Sequence, residues 1–174
     1  MRVVAGEFRG RRIVAPTTAA TRPTTDRVRE AVFNALSSLD VVVGATVADL
    51  YAGSGALGIE ALSRGAEHCT FVEKDRAALT AIHDNIATLG LTGRTRVVSG
   101  DALIMSKGVD VDIAFADPPY GFDRWPALLA NVQADFVVAE SASEVAAPGG
   151  WEPVRVKRYG RTWVTFLQRE GSPA

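Results

Sequence analysis

The chain has 174 residues, 47% of them hydrophobic and 22% charged, and a net charge of −1. That size and balance belong to one globular domain and exclude a fibre or a wholly disordered segment. A single cysteine, Cys69, excludes an internal disulfide framework and a multi-cysteine zinc site, so no metal is expected.

Residues 1–14 alternate weakly around Gly6 and Gly10 and read as a short β-hairpin or arm. A Thr-rich linker between Pro16 and Pro23 leads to a helix capped by one of Thr24, Thr25 or Asp26. Its apolar residues Val28, Val32, Ala35, Leu36 and Leu39 recur at helical spacing. Strands and helices then alternate. Thr46–Tyr51 is a strand, Gly53–Gly58 a glycine loop, and Leu57–Arg64 a helix stopped by Gly65. Cys69–Glu73 is a strand and Arg76–Leu89 a helix ended by Gly90. Thr95–Ser99 and Val111–Ala116 are strands, Trp125–Val132 a short helix, and Phe136–Glu140 another strand. Val154–Gln168, broken at Tyr159-Gly160, is an antiparallel hairpin. This pattern predicts an α/β fold, a doubly wound Rossmann-like parallel sheet with an antiparallel C-terminal hairpin and a small N-terminal extension.

Gly53-Ser54-Gly55-Ala56-Leu57-Gly58 satisfies G-x-G-x-x-G between a strand and a helix, the context in which that motif binds a nucleotide. Glu73 ends the next strand, 20 residues after Gly53. A carboxylate there can accept from both ribose hydroxyls. A tight turn without a ligand is the plainer reading. Asp49, inside the strand, argues for S-adenosylmethionine over a dinucleotide. A buried carboxylate needs compensation, which an ammonium supplies and a pyrophosphate does not. Asp49 can also simply cap loop amides. Asp101, after the third strand, stands where an adenine amine could be met, or is ordinary turn chemistry.

Asp117-Pro118-Pro119-Tyr120 directly follows the apolar strand ending at Ala116, at the carboxyl edge of the sheet. Two prolines fix the backbone and remove two donors. The Asp117 carboxylate and Pro118 carbonyl can then accept both hydrogens of an exocyclic amine and direct its lone pair toward a methyl group. Tyr120 offers a ring on which a flipped base can stack. His68 and His83 read as surface or helix residues. Cys69 reads as inert core, and Trp125, Trp151 and Trp163 as packing, with Trp151 the one that could also touch RNA.

The charge is uneven. Residues 1–30 hold seven arginines against three acids, and residues 151–169 hold five cations against Glu152, while the middle is acidic. Basic flanks suit a polyanion held by its phosphates.

The glycine loop and Asp-Pro-Pro-Tyr, in this order, resemble the amino-methyltransferases that use S-adenosylmethionine. Three segments, Val3–Gly6 with Gly10–Arg12, Arg22–Asn34 and Tyr51–Ala66, resemble the bacterial small-subunit (16S) ribosomal RNA guanine-N2 methyltransferases, and the likeness runs from Arg2 to about Gln168. The resemblance implies a class I methyltransferase domain over residues 26–174, with residues 1–25 as an arm and linker on the RNA side. It implies a cofactor site on Asp49, Gly53, Gly55, Gly58, Glu73 and Asp101. Their neighbours Tyr51, Ser54, Lys74 and Ala102 belong to the expected set, and the catalytic group is Asp117, Pro118, Pro119 and Tyr120. Its expected partner is 16S rRNA in a small ribosomal subunit, gripped by Arg9, Arg11, Arg12, Arg22 and Arg27. No room remains for a separate target-recognition domain, which favours a folded RNA over the alternative of DNA adenine-N6 methylation. A NAD-dependent oxidoreductase explains the glycine loop but leaves Asp117–Tyr120 idle, and a non-catalytic RNA-binding module would retain the fold alone. Met1–Glu7 lacks the apolar core of a leader, and no stretch reaches the ~18 apolar residues of a membrane helix. A cytoplasmic monomer without a membrane partner is expected.

Overall fold

A computed structural model describes residues 1–16 and 26–172. Thr24 and Thr25, two of the three expected caps, lie outside the described residues. The elements are α1 (Asp26–Ser38), β1 (Thr46–Leu50), α2 (Ala56–Ser63), β2 (His68–Glu73), α3 (Arg76–Leu89), β3 (Thr95–Ser99), α4 (Ala102–Met105), β4 (Asp110–Ala116), α5 (Trp125–Asn131), β5 (Gln133–Ser141), β6 (Trp151–Tyr159) and β7 (Thr162–Arg169). They build one seven-stranded sheet in the order β3-β2-β1-β4-β5-β7-β6. β3 to β5 are parallel; β7 runs antiparallel to β5, and β6 antiparallel to β7. The order reverses between β1 and β4, so the crevice outside their carboxyl ends is the switch point where such sheets bind ligands.

Both sheet faces are covered, which is why the central strands read as unbroken apolar runs. α1, α2 and α3 bury Val32, Phe33, Leu36, Ile59, Leu62, Ile82 and Ile86 on one face, and α4 and α5 bury Ala102, Leu128 and Leu129 on the other. α1 keeps the expected stripe except for Leu39, which lies past the helix and is partly exposed. The N-terminal arm closes on itself through the Arg2–Arg12 bridge, and its Val3 and Ile13 enter the core beside α1 and α2. No helix among the described residues is long and apolar enough to cross a membrane.

A buried ionic knot welds the arm to α1 and α2. Glu60 accepts from the Val4 and Ala5 amides at 2.8 and 3.0 Å and from Arg64 Nε at 2.9 Å. Arg29 Nε lies 3.4 Å from Glu60 Oε2, with both side chains fully buried. Arg29 also donates to the Arg2 carbonyl and to Asp26.

Candidate active site

β1 delivers the first part of the site. After Leu50 the chain turns sharply: Tyr51 has φ +62°, a conformation costly for an aromatic residue. Gly55, at φ +78°, then caps α2. Gly58 must be glycine for a different reason. A Cβ there would stand 2.5 Å from both Cys69 Sγ and Phe71 Cε1 of β2, so α2 packs on the sheet at a distance only hydrogen permits.

Asp49 points beneath this loop and is 2% exposed. Its Oδ2 accepts from the Gly58 amide at 2.9 Å, as the capping reading required. Burial pushes its carboxyl well above the ordinary value of 3.8, and the nearby Asp117 and Glu73 carboxylates push it further. Cys69, on the neighbouring strand, is buried and its thiol is pushed up by burial, so it is inert core as expected.

Glu73 ends β2 and holds the loop from the other side. Its Oε2 accepts from Gly53 N at 2.8 Å, and its Oε1 accepts from Lys74 N and Asp75 N at 2.8 and 2.9 Å. Three of a carboxylate's roughly four acceptor positions are thus taken by backbone. Asp101 caps α4 through the Leu103 amide at 3.0 Å and pairs with Lys74 Nζ at 3.2 Å. Ala102 is buried against the sheet, and Ser54 turns its hydroxyl toward Met1 Sδ of the arm.

β4 delivers the second part. Asp117 and Pro118 are half-buried at the strand's end, Pro119 is exposed, and Tyr120 is 93% exposed. The turn closes through Phe122 N donating to the Pro119 carbonyl at 3.2 Å. Phe122 meets the Tyr51 ring edge-on at 5.6 Å and Trp125 edge-on at 5.2 Å. This wedge ties the tetrapeptide to the glycine loop and was not legible in sequence; the aromatic spacing from Tyr120 through Phe122 to Trp125 was the available signal. The Tyr51 hydroxyl has no hydrogen-bond partner among the described residues. Burial and the Asp101 charge push its pKa up to about 12, against the lowering effect of Arg124.

The structure therefore gathers Asp49, Tyr51, Gly53, Gly55, Gly58, Glu73, Lys74 and Asp101 on the β1–β3 half of the carboxyl edge, with Asp117, Pro118, Pro119 and Tyr120 beside them at β4. The arginines are scattered. Arg22 lies outside the described residues, and Arg12 and Arg27 are exposed. The arm's turn sits on the C-terminus of α2, with Glu7 N donating to the Ser63 carbonyl and Phe8 N to Ser63 Oγ. Arg11 donates to the Thr88 carbonyl at the C-terminus of α3. Both helices start at the carboxyl edge and run back, so Arg9 and Arg11 lie toward the opposite edge from Asp117.

The family model described as "Conserved hypothetical protein 95" matches residues 1–168. Ribosomal RNA small subunit methyltransferase D of Escherichia coli is 38% identical over 98% of this chain and 90% of its own length. The chain belongs to this family. The Bacillus subtilis protein YlbH is also 38% identical, over 98% of this chain and 100% of its own length. The solved Escherichia coli protein yhhF is 38% identical and superposes with a TM-score of 0.86 over 99% of both chains. The sheet order and the two closing antiparallel strands are those of the class I methyltransferase fold expected from the sequence, and the chain is a methyltransferase of that class. The dinucleotide oxidoreductase and the bare binding module are set aside.

Proposed function

We propose that the protein transfers a methyl group from S-adenosylmethionine to the exocyclic N2 amine of a guanine in 16S rRNA. The observation that carries the reading is the placement of Asp117-Pro118-Pro119-Tyr120 at the end of β4, across the switch point from the glycine loop of β1. The relatives named for small-subunit rRNA methylation support the substrate.

The donor set fits the cofactor. Asp49, Glu73 and Asp117 gather carboxyl groups at the crevice, where burial chiefly raises Asp49 and the charges of Asp117 and Glu73 raise it further. Such a field favours a cationic sulfonium with an ammonium and opposes a pyrophosphate. Glu73 has about one acceptor position left for a ribose hydroxyl, since the loop amides hold the rest. The expectation of bidentate ribose binding therefore narrows to one hydrogen bond. Asp101, with its pair to Lys74, borders the adenine end.

When bound, the cofactor supplies an electrophilic methyl group on a cationic sulfur. The chain's own residues handle the amine. A guanine N2 is a poor nucleophile because its lone pair is delocalised into the ring. The Asp117 carboxylate and the Pro118 carbonyl would accept hydrogen bonds from its two N–H groups, favour a pyramidal nitrogen and aim its lone pair at the methyl, and the proton that the nitrogen sheds on methylation would leave through the Asp117 carboxylate to solvent. Tyr120, almost fully exposed, provides the stacking face for a base turned out of its helix. Catalysis is positioning and electrostatics. A folded RNA in a small subunit is the target this reading assigns, in line with the relatives named for small-subunit rRNA methylation.

The test is to incubate the protein with isotopically labelled S-adenosylmethionine and small ribosomal subunits that lack the modification, then digest the RNA. Label in N2-methylguanosine supports the reading. Label only in N6-methyladenine of added DNA would replace it.

A further inference from the structure

β7 pairs with β5 from Gln168 opposite Phe136 to Trp163 opposite Ser141. Ser141 ends β5 on the same edge at which Asp117 leaves β4. The β6–β7 hairpin therefore overshoots the carboxyl edge, with Tyr159 opposite Thr162 and the two-residue turn Gly160-Arg161 at its tip. Gly160, at φ +61°, takes the first turn position, where a short hairpin needs a positive φ. The cofactor set occupies the β1–β3 half of this edge, so a macromolecular substrate reaches Asp117 over the β4–β5–β7 half, which the hairpin borders.

The tip is cationic. Lys157, Arg158 and Arg161 are exposed, and the segment from Arg155 to Arg161 contains no acid. None of the three is in an ion pair among the described residues. Arg158 is held in place: its Nε donates to the Gly160 carbonyl at 3.0 Å, and its guanidinium lies 5.6 Å from the Trp163 ring centroid. A guanidinium stacked on an aromatic ring and tied to its own turn loses little freedom when it meets a phosphate.

We propose that Lys157, Arg158 and Arg161 at the β6–β7 tip grip the phosphodiester backbone of the RNA substrate beside the catalytic edge. The inference rests on the RNA reading above and adds a docking surface to it. It also places the grip nearer to Asp117 than the arm's Arg9 and Arg11, which lie toward the opposite edge.

The experiment compares the wild type, R158E/R161E and R9E/R11E on small ribosomal subunits lacking the modification, at several salt concentrations. For R158E/R161E the expected result is a KM raised at least tenfold with kcat within about twofold. The slope of log kcat/KM against log salt should become shallower by about 1.5, since each phosphate contact contributes about 0.7–0.9. Cofactor affinity stays unchanged, and R9E/R11E moves KM less. The exposed Lys157→Glu carries the same test at roughly half the slope change should the double variant fold poorly. An active wild type beside a tip variant with unmoved KM and salt slope would overturn the docking surface alone. Aggregation of the tip variants with an unmoved slope would also overturn it, because the cations would then only guard the edge strand β6. A wild type that makes no N2-methylguanosine would overturn the parent reading instead.

Discussion

Replacing Glu60 with alanine should destabilise the protein severely, although the residue lies outside the catalytic centre. Its carboxylate accepts from the Val4 and Ala5 amides and from Arg64, and it sits 3.4 Å from the fully buried Arg29. Alanine would orphan two amides of the arm and leave the Arg29 guanidinium facing Asp26 alone among carboxylates. Removing one partner of a buried pair costs about 3–5 kcal/mol, a large share of the ~5–15 kcal/mol that holds a domain together. In urea, with a slope of about 1–3 kcal/mol per molar, the midpoint should fall by more than ~1 M. The Val4 and Ala5 amides should also lose protection from hydrogen exchange. The E60A/R29M double variant should recover more than about 1 kcal/mol relative to E60A, because the fully buried Arg29 charge goes with its partner and only Arg64, at the edge of the knot, still lacks a carboxylate. A loss below ~1 kcal/mol in E60A, with arm protection intact, would refute the reasoning.

Asp49→Asn should change the pH dependence of folding and of cofactor binding together. Asp49 is held more protonated in the fold than when unfolded, so it lowers stability as pH rises above about 4, and the variant should lose that part of the slope in pH-dependent denaturation. Its affinity for S-adenosylmethionine should fall and lose the tightening with rising pH that the ionised carboxylate gives the wild type, as read by calorimetry. Gly58→Ala forces β2 to move away from Cys69 and Phe71 and should cost about 1–3 kcal/mol, with weaker cofactor binding, measured by thermal shift with and without the cofactor. Phe122→Ala removes two edge-on ring contacts worth about 0.5–1.5 kcal/mol each. It should lower kcat on the order of tenfold in steady-state assays while cofactor affinity holds, since it loosens Asp117–Tyr120 and spares Glu73.

The elements that sequence placed to the residue are those with local boundary chemistry. α3 starts where Asp75 accepts from the Ala78 amide and ends at the left-handed Gly90, both visible as residue types, and β3 follows a turn. Elements whose ends depend on distant partners were read short. β5 begins at Gln133 because Gln133 pairs with Asp110, and β6 begins at Trp151 because Trp151 pairs with Arg169. α4 has only four residues, too few to show a period, and exists because Asp101 caps it. Trp151 turned out to be wholly packing: its indole donates to the Leu129 carbonyl at 3.1 Å, with Arg169 stacked 4.3 Å from its ring centroid. In the site, the positions of Asp117–Tyr120 and of the glycine loop at neighbouring strand ends were legible because each is a contiguous run that directly follows an apolar strand. Charge was less legible. Arg29 counted toward a basic N-terminus but is fully buried on Glu60, and the arm's fold carries Arg9 and Arg11 toward the far edge. A residue count cannot separate an arginine that meets solvent from one that closes an internal pair.

The role of Asp117 is tested most directly by single-turnover methyl transfer by Asp117→Ala to small ribosomal subunits that lack the modification, at saturating cofactor. Loss of one well-placed hydrogen-bonding group at a transition state costs about 10²–10³ in rate, so N2-methylguanosine should form at least a hundredfold more slowly, with the unfolding midpoint close to wild type and cofactor affinity reduced far less than the rate. A rate equal to wild type would contradict the assignment of Asp117 as the group that holds the amine.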